Sequence, residues 1–177
     1  MPNMILDPPA TAPALGPDPR EASQLAQTLA RNCGYAGLPC SADGQPLVPL
    51  RQASTLTLSI SNAWLRTPGP LIGVATGQAS GVWVVEISAE GSDWWAAHHD
   101  ELPPTRTYET PRAGLQLFYT HGHGIPSTRG HIHKGVDTFG DGGHVVFWFA
   151  AGFECLDHEA PQPFPASLRA LLVEAAP

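Results

Sequence analysis

Two acidic residues stand out for where they fall. Glu86 lies inside an otherwise apolar run, Val82 to Ile87 (VWVVEI), and Ser88 follows it on the same face by the two-residue period of a strand. Acids are rare in such runs unless they are paired, exposed or bound to a metal. One reading makes Glu86 an exposed edge position. The other aims it into a cleft beside a second acid. Asp137 is the best candidate partner, since it follows Gly135-Val136 and precedes the glycine-rich Gly140-Asp141-Gly142-Gly143. Two carboxylates from different strands suit Mg²⁺ or Mn²⁺, which prefer oxygen ligands. The plainer alternative is that Asp137 and Asp141 cap turns.

A second set of residues suits anions. Thr110-Pro111-Arg112-Ala113-Gly114-Leu115-Gln116 reads as a loop running into a strand. Gly114 lets backbone approach a ligand, and Arg112 has the bidentate geometry for a phosphate. Four histidines follow as His121, His123, His131 and His133. On a strand each pair shares a face, and imidazoles are common zinc ligands. Solvated loop histidines are the alternative in so glycine-rich a segment.

These residues need elements to hold them. Arg20 to Asn32 is expected to be a helix capped by Ser23 or Asp18, with Gly34 ending it. Tyr35 to Cys40 reads as a short strand, and Asp43-Gly44 as a turn. Thr55 to Arg66 fits strand and helix periods alike and is taken as a helix behind a Ser/Thr cap. Leu71 to Thr76 and Val82 to Ile87 read as the two strands of a hairpin around Gly77 to Gly81. Ser92 is expected to cap a helix that Pro103-Pro104 ends. Leu115 to Tyr119 alternates like a strand, and Val145 to Phe149 is a continuous apolar run. Pro161 to Pro165 reads as a linker before a helix over Ala166 to Ala175. Residues 1–19, with six prolines, are expected to be a flexible tail, and residues 20–177 a single domain.

Composition narrows the classes. The 177 residues include 19 prolines and 18 glycines, which favours short elements and turns over a helical bundle. A net charge of −7 argues against generic duplex-DNA binding. Yet from Thr105 to Lys134 the only acid is Glu109, against Arg106, Arg112, Arg129 and Lys134. Three cysteines without paired spacing fit a reducing cytoplasm rather than a disulfide framework. No run approaches the ~20 apolar residues that span a bilayer, and no signal peptide is expected. The five tryptophans are read mainly as packing residues rather than base-stacking platforms.

Taken together, GYAGLPC, DGQP, the Trp64 helix, LIGVATGQASGVWVVEIS, LPPTRTYETPRAGLQLFY and GVDTFGDGGHVVF follow one another in a familiar order. Over roughly Arg20 to Cys155 the chain resembles the bifunctional DNA primase/polymerase (prim-pol) domain of the archaeo-eukaryotic primase superfamily. That resemblance implies an α+β fold, a twisted and mainly antiparallel sheet with an RNA-recognition-motif-like core, flanked by helices. It also implies metal-dependent nucleotidyl transfer, in which two acids on one strand and a third downstream hold two Mg²⁺ or Mn²⁺ ions. The catalytic positions then fall on Glu86, Ser88 and Asp137, the metal ligands on Glu86 and Asp137, and the nucleotide-binding positions on Arg112, Gly114 and Gln116. Implied partners are a nucleotide, single-stranded DNA or primer-template, and a helicase in trans, since no phosphate-binding GxxxxGK[ST] loop occurs here. The departures are Glu86 and Ser88 for the family's Asp-x-Asp, Gln116 for a histidine and Gln45 for a lysine. They lead to the expectation of absent or very weak polymerase activity, with residual nucleotide or single-strand binding. Three alternatives remain open: an active site using Asp141 as a further ligand, a non-catalytic interaction or regulatory protein on the same scaffold, and a histidine zinc site.

Overall fold

The computed structural model describes residues 16–122 and 124–174. The expected tail lies almost wholly outside the described residues, as does His123. Helix α1 spans Pro19–Cys33. Asp18 caps it, its side chain accepting from the backbone N–H of Arg20 at 2.7 Å and of Glu21 at 3.0 Å. Gly34 ends it at φ 72°, a conformation open to glycine without strain. Strand β1 (Gly37–Cys40) follows, then helix α2 (Thr57–Arg66) and the fully buried strand β2 (Leu71–Ala75). The helix reading of 55–66 holds, because Ile60 and Trp64 form its buried stripe. The Ser/Thr cap does not: Leu56 holds that position without a side-chain bond.

Strand β3 is Val82–Ile87, helix α3 is Ser92–His98, and strands β4 and β5 are Thr107–Thr110 and Gly114–Thr120. Ser92 is the first residue of α3 rather than its cap, since a 3-10 turn over Ala89–Gly91 leads straight into the helix. Strand β6 (Thr128–His133) pairs with β7 (Val136–Phe139), and β8 covers His144–Val146. The apolar run 145–149 is therefore only half strand, and its end turns into a 3-10 helix over Trp148–Ala151. Strands β9 (Cys155–Asp157) and β10 (Gln162–Pro163) precede helix α4 (Ala166–Glu174). The expected linker is thus a short strand, laid parallel to β5.

The strands form two sheets. One has the order β1-β2-β8; the other has β6-β7-β3-β5-β4-β9, with β10 also on β5. Apart from that contact the pairings are antiparallel, so the α+β expectation stands. The expected β2–β3 hairpin is wrong. Its two strands belong to different sheets, and only a single bridge, Gly77 to Val82, joins them. Strand β2 already has β1 and β8 on its two edges, and β3 has β5 and β7, so neither has an edge left for the other.

Between the sheets and under α1 and α2 lies the largest core cluster, which includes Trp64, Val84, Phe118 and Phe147. On the far face of the larger sheet, Val85, Ile87, Leu117, Tyr119 and Leu168 bring α3 and α4 onto it. Among the described residues no helix is long and apolar enough to cross a membrane.

A carboxylate row at the centre of the larger sheet

Strand β3 is central, so Glu86 is not an edge residue. The register sets Glu86 opposite Asp137 of β7 on one side and opposite Gln116 of β5 on the other. Gln116 in turn faces Tyr108 of β4. Directly opposed residues share a face of an antiparallel sheet, so Asp137, Glu86, Gln116 and Tyr108 form one polar row across four strands. Above it, Val84 and Phe118 belong to the apolar core. The row is where that core gives way to a cleft.

Gln116 is 0% exposed, and its Nε2 donates to Glu86 Oε2 at 2.7 Å. Its Oε1 has no hydrogen-bond partner among the described residues. Asp137 accepts from the backbone N–H of Gly130 at 2.8 Å. That contact exists because β6 is irregular opposite β7, its register shifting between Thr128 and His133. Burial pushes the Glu86 pKa above the ordinary carboxylate range; the Gln116 amide pulls it back, Asp137 raises it further and Arg129 lowers it.

The sign of the resulting pH effect follows. A carboxyl whose folded-state pKa is raised gives its full contribution to stability below its ordinary pKa and loses it as pH climbs through the raised value. Glu86→Gln removes that loss and the like charge opposite Asp137. At neutral pH the variant is expected to be more stable than the parent by about 0.2–1 kcal/mol, the scale of a directly opposed cross-strand pair. The difference should vanish in acid, below the ordinary carboxylate pKa. Thermal unfolding of both proteins across pH checks this, and a variant less stable at neutral pH contradicts it.

The cleft over Glu86 has a volume of about 760 Å³. Its lining includes Asp43, Glu86, Ser88, Glu90, Arg112 and Trp148. Ser88 is exposed just beyond β3, and its N–H donates to the carbonyl of Gly135 at 2.8 Å. Arg112 sits at the tip of the β4–β5 hairpin, where Arg112 and Ala113 have φ of 66° and 57°. Left-handed backbone at non-glycine residues costs about 1–2 kcal/mol each. Gly114 is needed for close packing, since a Cβ there would lie 2.8 Å from the carbonyl oxygen of Ile87.

The structure thus brings Glu86, Asp137 and Gln116 into one row and sets Ser88 and Arg112 in the adjoining cleft. Asp43 and Trp148 also reach the cleft and were not expected there. Asp43 was visible only as part of an Asp-Gly turn, and Trp148 only as the tail of an apolar run.

The basic stretch is less free than its composition suggests. Arg106 donates to the carbonyls of Glu159 and His158, each at 2.8 Å, and so fastens β4 to the segment after β9. Lys134 pairs with Glu90 at 3.1 Å. Among the described residues the histidines do not converge. His121 lies 3.2 Å from Asp141, whereas His133 Nδ1 is 2.8 Å from the Lys134 carbonyl. Among the described residues no three His, Cys, Asp or Glu side chains gather to hold a metal ion.

A family model described as bifunctional DNA primase/polymerase, N-terminal, matches residues 26–165. No curated protein matches the chain.

Proposed function

The chain belongs to the bifunctional DNA primase/polymerase family, and we propose that it is a member in which metal-dependent nucleotidyl transfer is absent or very weak. One observation carries this reading: the carboxylate row holds Glu86 and Asp137, and its third member is Gln116, whose amide occupies Glu86 at 2.7 Å. Two divalent ions facing a triphosphate want about three carboxylates. The only other side chain from that stretch of β3 facing the cleft, Ser88, offers a neutral hydroxyl. Asp141 does not complete the set, since its carboxylate accepts from the Gln78 N–H at 2.8 Å and lies beside His121. The residues present therefore do not fit a two-metal centre built on Mg²⁺ or Mn²⁺, and no catalytic step is assigned to one.

What the cleft retains is room for a nucleotide, a guanidinium at Arg112 and an aromatic wall at Trp148. These features support residual binding of a nucleotide or single-stranded nucleic acid, including a primer-template end. A helicase acting in trans is the partner that the family resemblance suggests. A second reading, an interaction or regulatory protein on the same scaffold, draws support from α2, where Leu58 and Leu65 are 73% and 78% exposed on one face.

The test is a Mn²⁺ titration followed by calorimetry or by the Mn²⁺ electron-spin signal. The natural protein is expected to bind Mn²⁺ weakly, and Ser88→Asp, which supplies the missing carboxylate, to bind about tenfold tighter. Equal, tight binding by both proteins contradicts the reading.

A further inference from the structure

We propose that the protein pairs with a second copy of itself through α2. The two helices lie antiparallel across a two-fold axis beside Ser61 and Asn62. Leu58 of each copy packs on Leu65 of the other, at the mouth of the groove between α1 and α2. The pairing names a partner for the face that the interaction reading singles out. It does not rest on the state of the carboxylate row, since the groove is lined from α1 and α2 and the cleft over Glu86 from other elements.

The outer face of α2 is unusual for a surface helix. Such a helix ordinarily turns charged residues outward, as α1 does with Arg20, Glu21 and Arg31. Between Arg51 and Arg66 the chain has no charged residue at all. What α2 turns outward instead is Leu58 and Leu65, the two most exposed large apolar side chains among the described residues, seven positions apart on one face. Neither serves the interior, because the buried stripe of the helix is Ile60 and Trp64.

Three features select a second copy as the occupant. The first is spacing. An antiparallel copy of the same helix, centred between Ser61 and Asn62, sets each Leu58 against a Leu65, so the face is its own complement, as a two-fold contact requires. The second is charge. Copies of a chain with a net charge of −7 repel one another on approach, and this helix brings no charge to the contact. The third is shape. Leu65 also lines a groove of about 900 Å³ with Arg20, Gln24, Gln27, Trp64 and Pro68. Its floor is fixed, because Trp64 Nε1 donates to the Gly69 carbonyl at 3.0 Å. Antiparallel pairing brings Leu58 of the other copy to this end of α2. Ser61, also in the lining, is small enough to let the helices close.

The size of the contact sets its strength. Two leucines so exposed, with the groove beside them, make a patch of a few hundred Å². A stable complex ordinarily buries about 800 Å² on each partner. The rims of α1 must supply the rest, so the dimer is expected to be weak, with a Kd in the micromolar range.

The experiment is sedimentation equilibrium of the full chain from about 1 to about 200 μM, which brackets a micromolar Kd. The weight-average mass is expected to climb from the 18.8 kDa of the monomer toward twice that value. Leu58→Gln and Leu65→Gln should each weaken association about tenfold or more. Neither should lower the melting temperature, because both side chains stand in water in the single chain. Asn62→Asp and Asn62→Lys, each alone, place like charges across the axis and should sediment as monomers. Mixed in equal amounts they should associate again, because the axis then joins opposite charges. A dimer that persists in both leucine variants overturns the arrangement, as does a mixture of the charged variants that stays monomeric. A parent mass that stays at the monomer value overturns pairing with a second copy, assigns the face to a different occupant, and leaves the reading of the carboxylate row as it stands.

Discussion

Gly77→Ala is expected to destabilise the protein by about 3–5 kcal/mol, from left-handed strain and a backbone clash together. Gly77 has φ 74°, and a Cβ there would lie 2.5 Å from Asp141 Cα and 2.8 Å from its nitrogen. It stands where the chain leaves the smaller sheet for the larger one. Its N–H donates to Val82 at 2.7 Å. Around it the crossing is stitched to the Gly140–Gly143 loop. Thr76 N–H donates to the Gly143 carbonyl at 3.0 Å, Thr76 Oγ1 to the Gly140 carbonyl at 2.7 Å, and Gln78 N–H to Asp141 at 2.8 Å. An alanine must push that loop away. At about 2–4 °C per kcal/mol for a chain of this size, the melting temperature should fall by roughly 6–20 °C. Gly81→Ala separates the two causes. Gly81 also has a positive φ, 65°, but a Cβ there meets nothing within 4 Å, so strain alone should cost about 1–2 kcal/mol. Melting curves of the two variants decide it, and equal losses would mean that the close approach to Asp141 carries no energy.

Much of this crossing was hidden in the sequence. Gly77 to Gly81 announces a turn, and turn residues say nothing about which sheet the next strand joins. Helix α1 was legible because Asp18, Pro19 and Gly34 mark its ends locally. Helix α2 was legible in its apolar spacing but not in its cap, because Leu56 has no side-chain oxygen to give. Strand β10 was missed because two residues, Gln162 and Pro163, are too few to carry a period and sit in a proline-rich stretch. The core of the candidate site was legible for a different reason. An acid inside an apolar strand is a local anomaly, and the match of Glu86 to Asp137 is readable from the sequence alone. Its neighbour Gln116 was recognised as a departure from the family, but the hydrogen bond to Glu86 follows from register, which depends on long-range pairing. Asp43 and Trp148 come to the cleft from elements far apart in the chain, and no local pattern places them there.

The central claim is that the site no longer supports nucleotidyl transfer. Two carboxylates remain in the row, one of them held by an uncharged amide, and the cationic side chain that lines the cleft is Arg112. Loss of one charged group from such a site is expected to cost about 10²–10⁴ in rate. The most direct measurement is primer extension by the purified chain with Mn²⁺, all four deoxynucleotides and a labelled primer-template, with Asp137→Ala alongside. The expected result is no extension above that of Asp137→Ala. Sustained extension by the natural protein, abolished in Asp137→Ala, would show that Glu86 and Asp137 suffice for catalysis, and the account given for this site would be wrong.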